Sequence, residues 1–524
     1  MKPALHTLIE AGRGGEEVAV IVRLEHASVT PPPGVRVVAR FGPVLTVRCS
    51  RRAVTGLASA AGVRSLSAPR LYGPDVVVAD ESAPDLDVRP EDGRRPAGPA
   101  ATGRGVVVGI VDWGLDLAHP AFLRRTSDSR ANGRSRVLAF WNQVPGADPA
   151  LPNRYGYGRI HDAAAIDAAL ASPDPYRALR YDPAQSDLDY GAHGTVTTCI
   201  AAGSDFDGGV PGVAPDADIA FVHLSTWGDE GLGGLGDSVA LLEGLDFIRQ
   251  VAGGRPLVVN LSMGTIEGPG DGSTHVEQAI DAMILERPGC AVVESCGNYF
   301  QNGTHTAGRL SAGQQVRLPV LVQAPHGAGR HEIDIWYPAT DRMTVGVIAP
   351  DGRARVLSRP GQDRRLRAGG TDIARIIHRL ADPDNGRNEA MIWLDPNAPP
   401  GTWTVVLTAV DVPDGSYHVF IGREALNPRA HTRFPGDIAV RTTTTGSICN
   451  GLHTVTVGAY DPHDDDRPVT DFSSSGPTAW VGLARPHLLA PGSHVLAARS
   501  RAKDAAPGET PLATRMSGTS MAAP

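Results

Sequence analysis

Three short runs decide how this chain folds: Gly109-Ile110-Val111-Asp112-Trp113-Gly114, His193-Gly194-Thr195 and Arg515-Met516-Ser517-Gly518-Thr519-Ser520-Met521-Ala522-Ala523-Pro524. They supply an acid, a base and a nucleophile, in the order Asp112, His193, Ser520. A serine hydroxyl is a weak nucleophile, so it needs an imidazole to take its proton and a buried carboxylate to fix the tautomer of that imidazole. Together the three runs predict a catalytic triad.

The residues around the acid and the base predict an α/β sheet. The apolar run 106–111 precedes Asp112 and is typical of a buried parallel strand. Asp112 would then stand at the carboxyl end of that strand, where open α/β sheets place ligands. Small and apolar residues at 196–203 predict a buried helix that holds His193 by packing.

Asn298 is a candidate fourth member of the site. The tetrahedral intermediate of acyl transfer carries an oxyanion that needs preorganised hydrogen-bond donors. Asn298 follows a strand-like run at 291–296 and Gly297. We expect its side chain and the backbone N–H of Ser520 to form an oxyanion hole. The alternative is that Asn298 only caps a turn.

The order Asp, His, Ser is the order found in subtilisin, whereas chymotrypsin runs His, Asp, Ser. On its motifs around Asp112, His193, Asn298 and Ser520, the chain resembles a subtilisin-like serine protease of the subtilase family. The resemblance implies an α/β fold with a parallel sheet flanked by helices. It also implies a serine endopeptidase that acts on protein or peptide substrates through an acyl-enzyme intermediate and requires no cofactor.

The resemblance further implies a primary specificity pocket with two walls. One wall is the run 258–264 and the other is the run 294–297. The substrate-binding residues implied are Ser262, Met263, Gly264, Ser295, Cys296 and Gly297. Trp113 departs from the family, which has Thr or Ser after the catalytic Asp, so its indole must find space and a partner for its N–H. We expect it to narrow the cleft.

Five segments are predicted along the chain: a propeptide-like α+β domain at 1–75, a linker rich in Asp, Glu, Pro and Arg at 76–100, the first part of the catalytic domain at 101–304, an inserted β-sandwich at 305–430, and the second part of the catalytic domain at 431–524. In the family, such a propeptide assists folding and occupies the cleft, and the linker is then cut. A permanent accessory domain would leave the same trace in the sequence, so that alternative stays open.

The insert rests on alternating short strands. Apolar and polar residues alternate at period two with turn residues between the runs, which predicts a β-sandwich. Its place between Asn298 and Ser520 resembles the jelly-roll insert of the clostridial germination-type subtilases. That branch suggests a second hypothesis, a catalytically inactive pseudoprotease that binds or regulates a partner. The intact triad and Asn298 speak against it.

Composition excludes other classes. A net charge of -8 argues against a nucleic-acid surface. Residues 1–10 lack the apolar core of a secretory signal, and no stretch reaches the roughly 18 apolar residues of a membrane span. We therefore expect cytoplasmic residence and no membrane partner.

The five cysteines are an odd number without metal-ligand spacing, so we expect no disulfide framework. We expect Cys296 to line the specificity pocket.

Two further patterns are discounted. The run Gly231–Gly236 fits Gly-x-Gly-x-x-Gly, but no strand leads into it, so a loop or a cleft-lining strand is favoured and a dinucleotide-binding enzyme is a distant third hypothesis. A cluster that could bind a structural calcium ion through oxygen ligands consists of Asp461, His463, Asp464, Asp465 and Asp466. Their spacing is not that of an EF-hand, so a solvated acidic loop is favoured and no metal is assigned.

Two departures from the family pattern remain. The stretch between Asp112 and His193 is longer than a compact subtilisin needs, and we expect an inserted loop there that includes 136–141. The sequence ends at Pro524, four residues past Ser520, where the family continues into a long buried helix. A helix of about five residues cannot sustain itself. We expect that the sequence is a fragment of a longer reading frame, with its activity in doubt.

Overall fold

The structure is a computed structural model that describes residues 2–10, 12–77, 87–93, 101–125, 131–144, 152–225, 236–323, 331–422, 431–503 and 509–524. Its N-terminal elements are α1 (Pro3–Glu10), β1 (Glu17–Leu24), β2 (Arg36–Phe41), β3 (Val44–Ser50), α2 (Ala53–Ala58), β4 (Val63–Ser67) and β5 (Gly73–Pro74).

The next elements are β6 (Val107–Asp112), β7 (Leu123–Arg125), β8 (Ala131–Ser135), β9 (Val137–Asn142), β10 (Arg159–Asp162), α3 (Ala163–Leu170), α4 (Pro175–Leu179), α5 (His193–Ala202), β11 (Asp218–His223), α6 (Ser238–Ala252), β12 (Leu257–Leu261), β13 (Met263–Gly264), α7 (His275–Glu286) and β14 (Cys290–Ser295).

The remaining elements are β15 (His305–Arg309), β16 (Gln315–Val322), β17 (His331–Tyr337), β18 (Arg342–Ile348), β19 (Arg355–Ser358), β20 (Asp363–Ala368), β21 (Thr371–Arg379), β22 (Asn388–Leu394), β23 (Gly401–Asp411), β24 (Ser416–Ile421), β25 (Val455–Tyr460), β26 (Leu488–Pro491), β27 (Val495–Ala498), β28 (Ala513–Met516) and α8 (Thr519–Ala522).

The central sheet has eight strands in the order β10-β9-β11-β6-β12-β14-β25-β26. Every neighbouring pair is parallel except β10 with β9 at one edge. All six residues of β6 are buried, because α5 packs on one face of the strand and α6 on the other. Burial on both faces explains the continuous apolar run before Asp112. The predicted α/β fold class, a parallel sheet flanked by helices, is confirmed.

The predicted inserted loop around 136–141 is wrong. Residues of this stretch form β9, which lies parallel to β11 and extends the central sheet. Phe140 and Trp141 are fully buried there. The preceding Arg136 is also buried, and its guanidinium donates to the carbonyl oxygens of Ala121 and Ala217. The stretch therefore belongs to the scaffold of the sheet.

Two sheets lie between β14 and β25 in the chain. One has six strands in the order β15-β24-β17-β22-β21-β20, and the other has four in the order β16-β23-β18-β19. Apolar side chains of both sheets form one shared core that includes Ile335, Val347 and Trp403. β16 alternates between buried and partly exposed residues, as the sequence pattern requires of a strand with one buried face, whereas all seven residues of β22 are buried.

The N-terminal elements form a separate antiparallel sheet, in the order β2-β3-β1-β4, with its own apolar core. A buried ion pair fixes it to the central body: Arg48 of β3 donates through both terminal nitrogens to Glu243 of α6 at 2.7 and 2.8 Å, and both side chains are fully buried. Lys2 and Arg23 bind Asp384, which lies between β21 and β22, at 2.7 and 2.9 Å. The N-terminal sheet is therefore tied to both of the other bodies.

The predicted linker at 76–100 is only partly described, since 78–86 and 94–100 lie outside the described residues. Within 87–93, Asp92 is buried and accepts hydrogen bonds from both terminal nitrogens of Arg515, at 2.7 and 2.8 Å. Burial and this pairing anchor the short segment to β28. Across the described ranges, no helix is both long enough and apolar enough to cross a membrane.

Candidate active site

Asp112 and His193 meet at the carboxyl end of β6. Asp112 Oδ1 lies 2.6 Å from His193 Nδ1, with the carboxylate fully buried and the imidazole almost so. Thr197, one turn further along α5, donates its hydroxyl to Asp112 Oδ2 at 2.9 Å. Each carboxylate oxygen is thus held, and the contact at Nδ1 leaves Nε2 of His193 as the ring nitrogen available to a nucleophile.

Trp113 packs beside the pair and does not extend into solvent. Its ring lies 6.4 Å from the His193 ring in an edge-on arrangement, and its side chain is 6% exposed. The backbone N–H of Trp113 donates to Asp112 Oδ1 at 2.6 Å. The following turn is held by His223, whose Nδ1 accepts from the N–H of Gly114 at 3.1 Å. Burial lowers the pKa of His223 to about 4, so the ring stays neutral and able to accept.

Ser520 lies in the first turn of α8 and is fully buried. Its hydroxyl donates to the backbone oxygen of Ser262 at 3.1 Å. His193 Nε2 is also buried and makes no hydrogen bond to any described residue. The structure therefore joins Asp112 to His193 and places Ser520 against Ser262, without a hydrogen bond between Ser520 and His193.

Asn298 follows the end of β14 and is tied to the residue before Ser520. Its Oδ1 accepts from both the backbone N–H and the hydroxyl of Thr519, each at 3.0 Å. These two contacts fix which end of the amide is the acceptor. Its Nδ2 is buried and has no hydrogen-bond partner among the described residues. The amide is thus oriented by Thr519 and retains one unused donor.

The segment that ends the N-terminal sheet runs through this site. β5 pairs antiparallel with β13, with Pro74 opposite Met263 and Gly73 opposite Gly264. Before the pair, the N–H of Tyr72 donates to the oxygen of Gly236 at 3.0 Å. After it, the N–H of Asp75 donates to the oxygen of Ser262 at 3.4 Å.

The same segment then reaches the nucleophile. The N–H of Ser520 donates to the backbone oxygen of Asp75 at 3.2 Å, and the N–H of Val77 donates to the oxygen of Ser517 at 2.8 Å. The predicted substrate-binding residues Ser262, Met263 and Gly264 thus contact a peptide of the chain itself.

In the second predicted wall of the pocket, residues 294–297, the side chains of Ser295 and Cys296 contact different parts of the chain. Ser295 donates its hydroxyl to Asp75 Oδ2 at 2.7 Å. The thiol of Cys296 instead contacts the oxygen of Ser474 at 3.4 Å, and burial raises its pKa to about 12. Gly297 has a φ of +99°, and a Cβ there would lie 2.6 Å from the Tyr299 ring, so only glycine lets Tyr299 approach.

The structure describes the acidic loop around 461–466 but not most of the glycine-rich run 231–236. Residues 231–235 of the glycine-rich run lie outside the described residues. In the acidic loop, Asp461 accepts from the N–H of His463 at 2.9 Å, and Asp464 accepts from the N–H of Asp466 at 2.9 Å. Throughout the described part of the chain, no group of three or more His, Cys, Asp or Glu side chains is arranged to hold a metal ion.

Comparison with known families decides the family. The model of the subtilase family matches residues 103–362 and 427–524, which together make up more than half of the chain. The chain belongs to the subtilase family. The resemblance drawn from the triad motifs is thereby confirmed. As a subtilase, the chain is a serine-type peptidase, and its substrates are proteins or peptides.

Two solved structures resemble this subtilase. The CspB protease of Clostridium perfringens has a TM-score of 0.63 and 22% sequence identity, with 80% of this chain and 81% of that chain covered. A cold-adapted subtilisin-like serine proteinase has a TM-score of 0.32 and 16% identity, with 81% of this chain and 74% of that chain covered. The likeness to the CspB protease is a likeness of fold.

Sequence reasoning missed two contributors to this subtilase site. Thr197 lies four positions after His193, a spacing that places both side chains on one face of a helix. That spacing is a signal that could have identified Thr197. Asp75 was noted only as a domain boundary, and its place at Ser520 depends on contacts between residues 445 positions apart in the chain.

Changing Asn298 tests the second oxyanion donor. We expect Asn298→Ala to lower kcat by about 10²–10³-fold, a magnitude taken from the equivalent donor of a subtilisin. KM should change little, because the donor acts only on the charge that develops in the transition state. The measurement is steady-state hydrolysis of a peptide substrate. Thr519→Val is a matched control that removes one of the two contacts to Oδ1 and should cost less. A kcat equal to that of the wild type in Asn298→Ala would contradict this role.

Proposed function

We propose that this subtilase is an active endopeptidase in which Asp112, His193 and Ser520 form the catalytic triad. Asp112 holds the Nδ1–H tautomer of His193, His193 takes the proton of Ser520, and Ser520 attacks the carbonyl carbon of a peptide bond. The contact of 2.6 Å between Asp112 Oδ1 and His193 Nδ1 supports the first of these roles. The buried Nε2 without a partner among the described residues supports the second.

Ser520 must turn before it can react. Its hydroxyl donates to the Ser262 oxygen, so a rotation about its Cα–Cβ bond is needed to bring Oγ to His193 Nε2. The change is confined to the Ser520 side chain, which has a single staggered torsion. The rotated hydroxyl would replace the contact with Ser262 by one with the imidazole, so no hydrogen bond is lost in total.

The observation that carries the proposal is the hydrogen bond from the Ser520 N–H to a peptide carbonyl oxygen. The acceptor is the oxygen of Asp75, in a segment that already lies antiparallel to β13. A substrate carbonyl in that position would have the Ser520 N–H as one donor. The unused Nδ2 of Asn298 would supply the second donor as the oxygen becomes negative. An acyl-enzyme on Ser520 Oγ would follow, and water would hydrolyse it.

We propose in addition that the N-terminal module acts as a propeptide bound in the cleft. In addition to the pairing of β5 with β13, the segment 72–77 makes backbone hydrogen bonds to Gly236, Ser262, Ser517 and Ser520. The buried pair of Arg48 and Glu243 supports tight docking of the module behind this segment. A peptide that occupies the cleft excludes other substrates for as long as it stays there.

The test is hydrolysis of an unfolded protein by the purified chain. We expect new α-amino groups to appear with the wild type and not with Ser520→Ala prepared in the same way. Circular dichroism of both proteins shows whether the variant is folded. Arg48→Ala, which weakens docking of the N-terminal module, is tested in the same way. If the folded wild type binds the unfolded protein and neither protein produces new termini, the endopeptidase is rejected in favour of a pseudoprotease.

A further inference from the structure

We infer that the specificity pocket of this subtilase selects aspartate, and that the chain's own Asp75–Val76 bond is the first bond it cuts. The inference rests on the proposed endopeptidase function and adds to it the substrate class and the bond. It follows from the register of the segment 72–77 in the cleft and from the contacts of the Asp75 side chain.

The register identifies the bond. The carbonyl that meets the nucleophile's N–H belongs to Asp75, so the peptide bond next to Ser520 joins Asp75 to Val76. Hydrogen bonds hold the backbone on both sides of this bond: the N–H of Asp75 to Ser262 before it, and the N–H of Val77 to Ser517 after it. A chain clamped on both sides of one bond presents that bond and no other to Ser520.

The fit around the bond is close. Gly518 has a φ of 150°, and a Cβ at that position would lie 2.3 Å from the oxygen of Asp75. Any side chain there would therefore displace the carbonyl from the N–H of Ser520. The glycine two residues before the nucleophile thus permits the approach of the Asp75 carbonyl.

The pocket receives the Asp75 side chain with polar groups. Asp75 is 1% exposed, and its Oδ2 accepts from the Ser295 hydroxyl at 2.7 Å. The Tyr299 hydroxyl lies 3.5 Å from Oδ1, and Gly264 borders the same carboxylate, since a Cβ there would make an ordinary van der Waals contact with Oδ2 at 3.6 Å. Hydroxyl donors buried at the end of a short pocket suit a short acceptor side chain, because an apolar one would leave them unpaired.

The length of the pocket favours Asp over Glu. Ser295 reaches the carboxylate directly, with no intervening group, at a normal hydrogen-bond distance. One additional methylene would carry the carboxylate past the position in which the hydroxyls of Ser295 and Tyr299 contact it. We therefore expect Asp to be preferred at the residue before the cut, with Asn, which has the same shape and no charge, next.

The reaction balances without a co-reactant other than water. Ser520 Oγ forms a bond to the Asp75 carbonyl carbon, and the hydroxyl proton passes to His193 Nε2. The bond from that carbon to the Val76 nitrogen breaks, and the nitrogen takes the proton from His193. Water then attacks the ester carbon and gives its proton to His193, and Ser520 Oγ leaves and regains a proton. The products are a carboxylate at Asp75 and an amine at Val76.

The first test is the mass and N-terminal sequence of the purified full chain. We expect the wild type to give a fragment of residues 1–75 and a second fragment that begins at Val76. Ser520→Ala should remain whole. Asp75→Leu should be cut at this bond about 10²-fold more slowly than the wild type, because it leaves a buried donor unpaired. The cleavage rate of Asp75→Asn should lie between those of the wild type and Asp75→Leu. Cutting at another bond of 76–100 in the wild type would overturn the assignment.

The second test measures the pocket on added peptides. Internally quenched peptides carry the sequence Tyr-Gly-Pro-Xaa-Val-Val with Xaa as Asp, Asn, Glu, Leu or Lys. We expect kcat/KM for Asp to exceed that for Leu by about 10²-fold in the wild type, and the ratio to fall by about tenfold in Ser295→Ala, since one hydrogen bond to the Asp side chain is lost. The Leu peptide is the matched control, because Ser295→Ala removes the donor that Leu leaves unpaired, so the kcat/KM of the Leu peptide should not fall in this variant.

The outcomes separate this inference from the proposed function. If the Leu or Lys peptide is cut as fast as the Asp peptide, and Ser520→Ala cuts none, the chain is an endopeptidase and the aspartate pocket is wrong. If the wild type leaves Asp75–Val76 intact and cuts no peptide of the set, both proposals fail. Selective cutting after Asp in both tests supports the inference.

Discussion

Ser520→Ala and His193→Ala are each expected to lower kcat for peptide hydrolysis by about 10⁶-fold, the loss found when either triad member is removed in a subtilisin. The reason is that the hydroxyl and the imidazole act as one unit. Without His193, Ser520 keeps its proton and is a poor nucleophile, and without Ser520, His193 has no group to activate. The double variant should therefore be no slower than either single variant.

The measurement is kcat for an efficiently cut peptide, with the wild type and the three variants prepared identically. Asp112→Asn provides a graded control, for which a loss of about 10⁴-fold is expected because the imidazole is held in the wrong tautomer. Additive losses in the double variant would contradict the account, since they would mean that the two residues contribute independently. A wild-type rate in His193→Ala would rule out the triad.

Arg48→Ala should release the N-terminal module. The change leaves Glu243 as a fully buried carboxylate without its bidentate partner, and breaking a buried pair in this way costs about 3–5 kcal/mol. If the loss falls on docking of the module, the dissociation constant of the processed N-terminal fragment should rise by about 10²–10⁴-fold. The measurement is competition between labelled and unlabelled fragment on the processed protein.

Two controls belong with the Arg48 experiment. Arg36→Ala removes an exposed ion pair with Glu17 on the same sheet and should cost at most about 1 kcal/mol. The double variant Arg48→Met with Glu243→Met replaces the pair by apolar groups and should bind much better than Arg48→Ala, because no charge is left buried alone. Equal affinities for Arg48→Ala and the wild type would contradict the importance of the pair in docking.

Much of the fold was predictable because local patterns reflect local burial. The run before Asp112 is apolar on both faces, as a strand between two helices must be. The alternation in 402–408 reflects a strand whose Trp403, Val405 and Leu407 are fully buried while the threonines between and after them are partly exposed. The stretch 136–141 was misassigned because β9 is buried on both faces and shows no period of two. The length of the interval between Asp112 and His193 suggested an inserted loop. The place of β9 beside β11 depends on a pairing between residues about 80 positions apart in the chain.

The candidate site was predictable to a similar degree. The sequence alone indicated which residues to expect at the site, because short motifs surround Asp112, His193, Asn298 and Ser520. Asp75 was not predictable as an occupant of the pocket, because nothing near it in the sequence marks the carboxylate, and its partners Ser295 and Tyr299 lie more than 200 residues away. The contact of Ser520 with Ser262 was also beyond sequence reasoning, because a side-chain rotamer depends on the packed surroundings.

The measurement that tests the central claim most directly is covalent labelling with a fluorophosphonate probe, which reacts with an activated serine. It should be carried out on the wild type, Ser520→Ala and Arg48→Ala, with the site located by mass spectrometry of peptides. We predict one adduct on Ser520 in the wild type, faster labelling in Arg48→Ala because the cleft is vacated, and none in Ser520→Ala. Absence of an adduct in folded Arg48→Ala, or equal labelling of Ser520→Ala, would contradict the account.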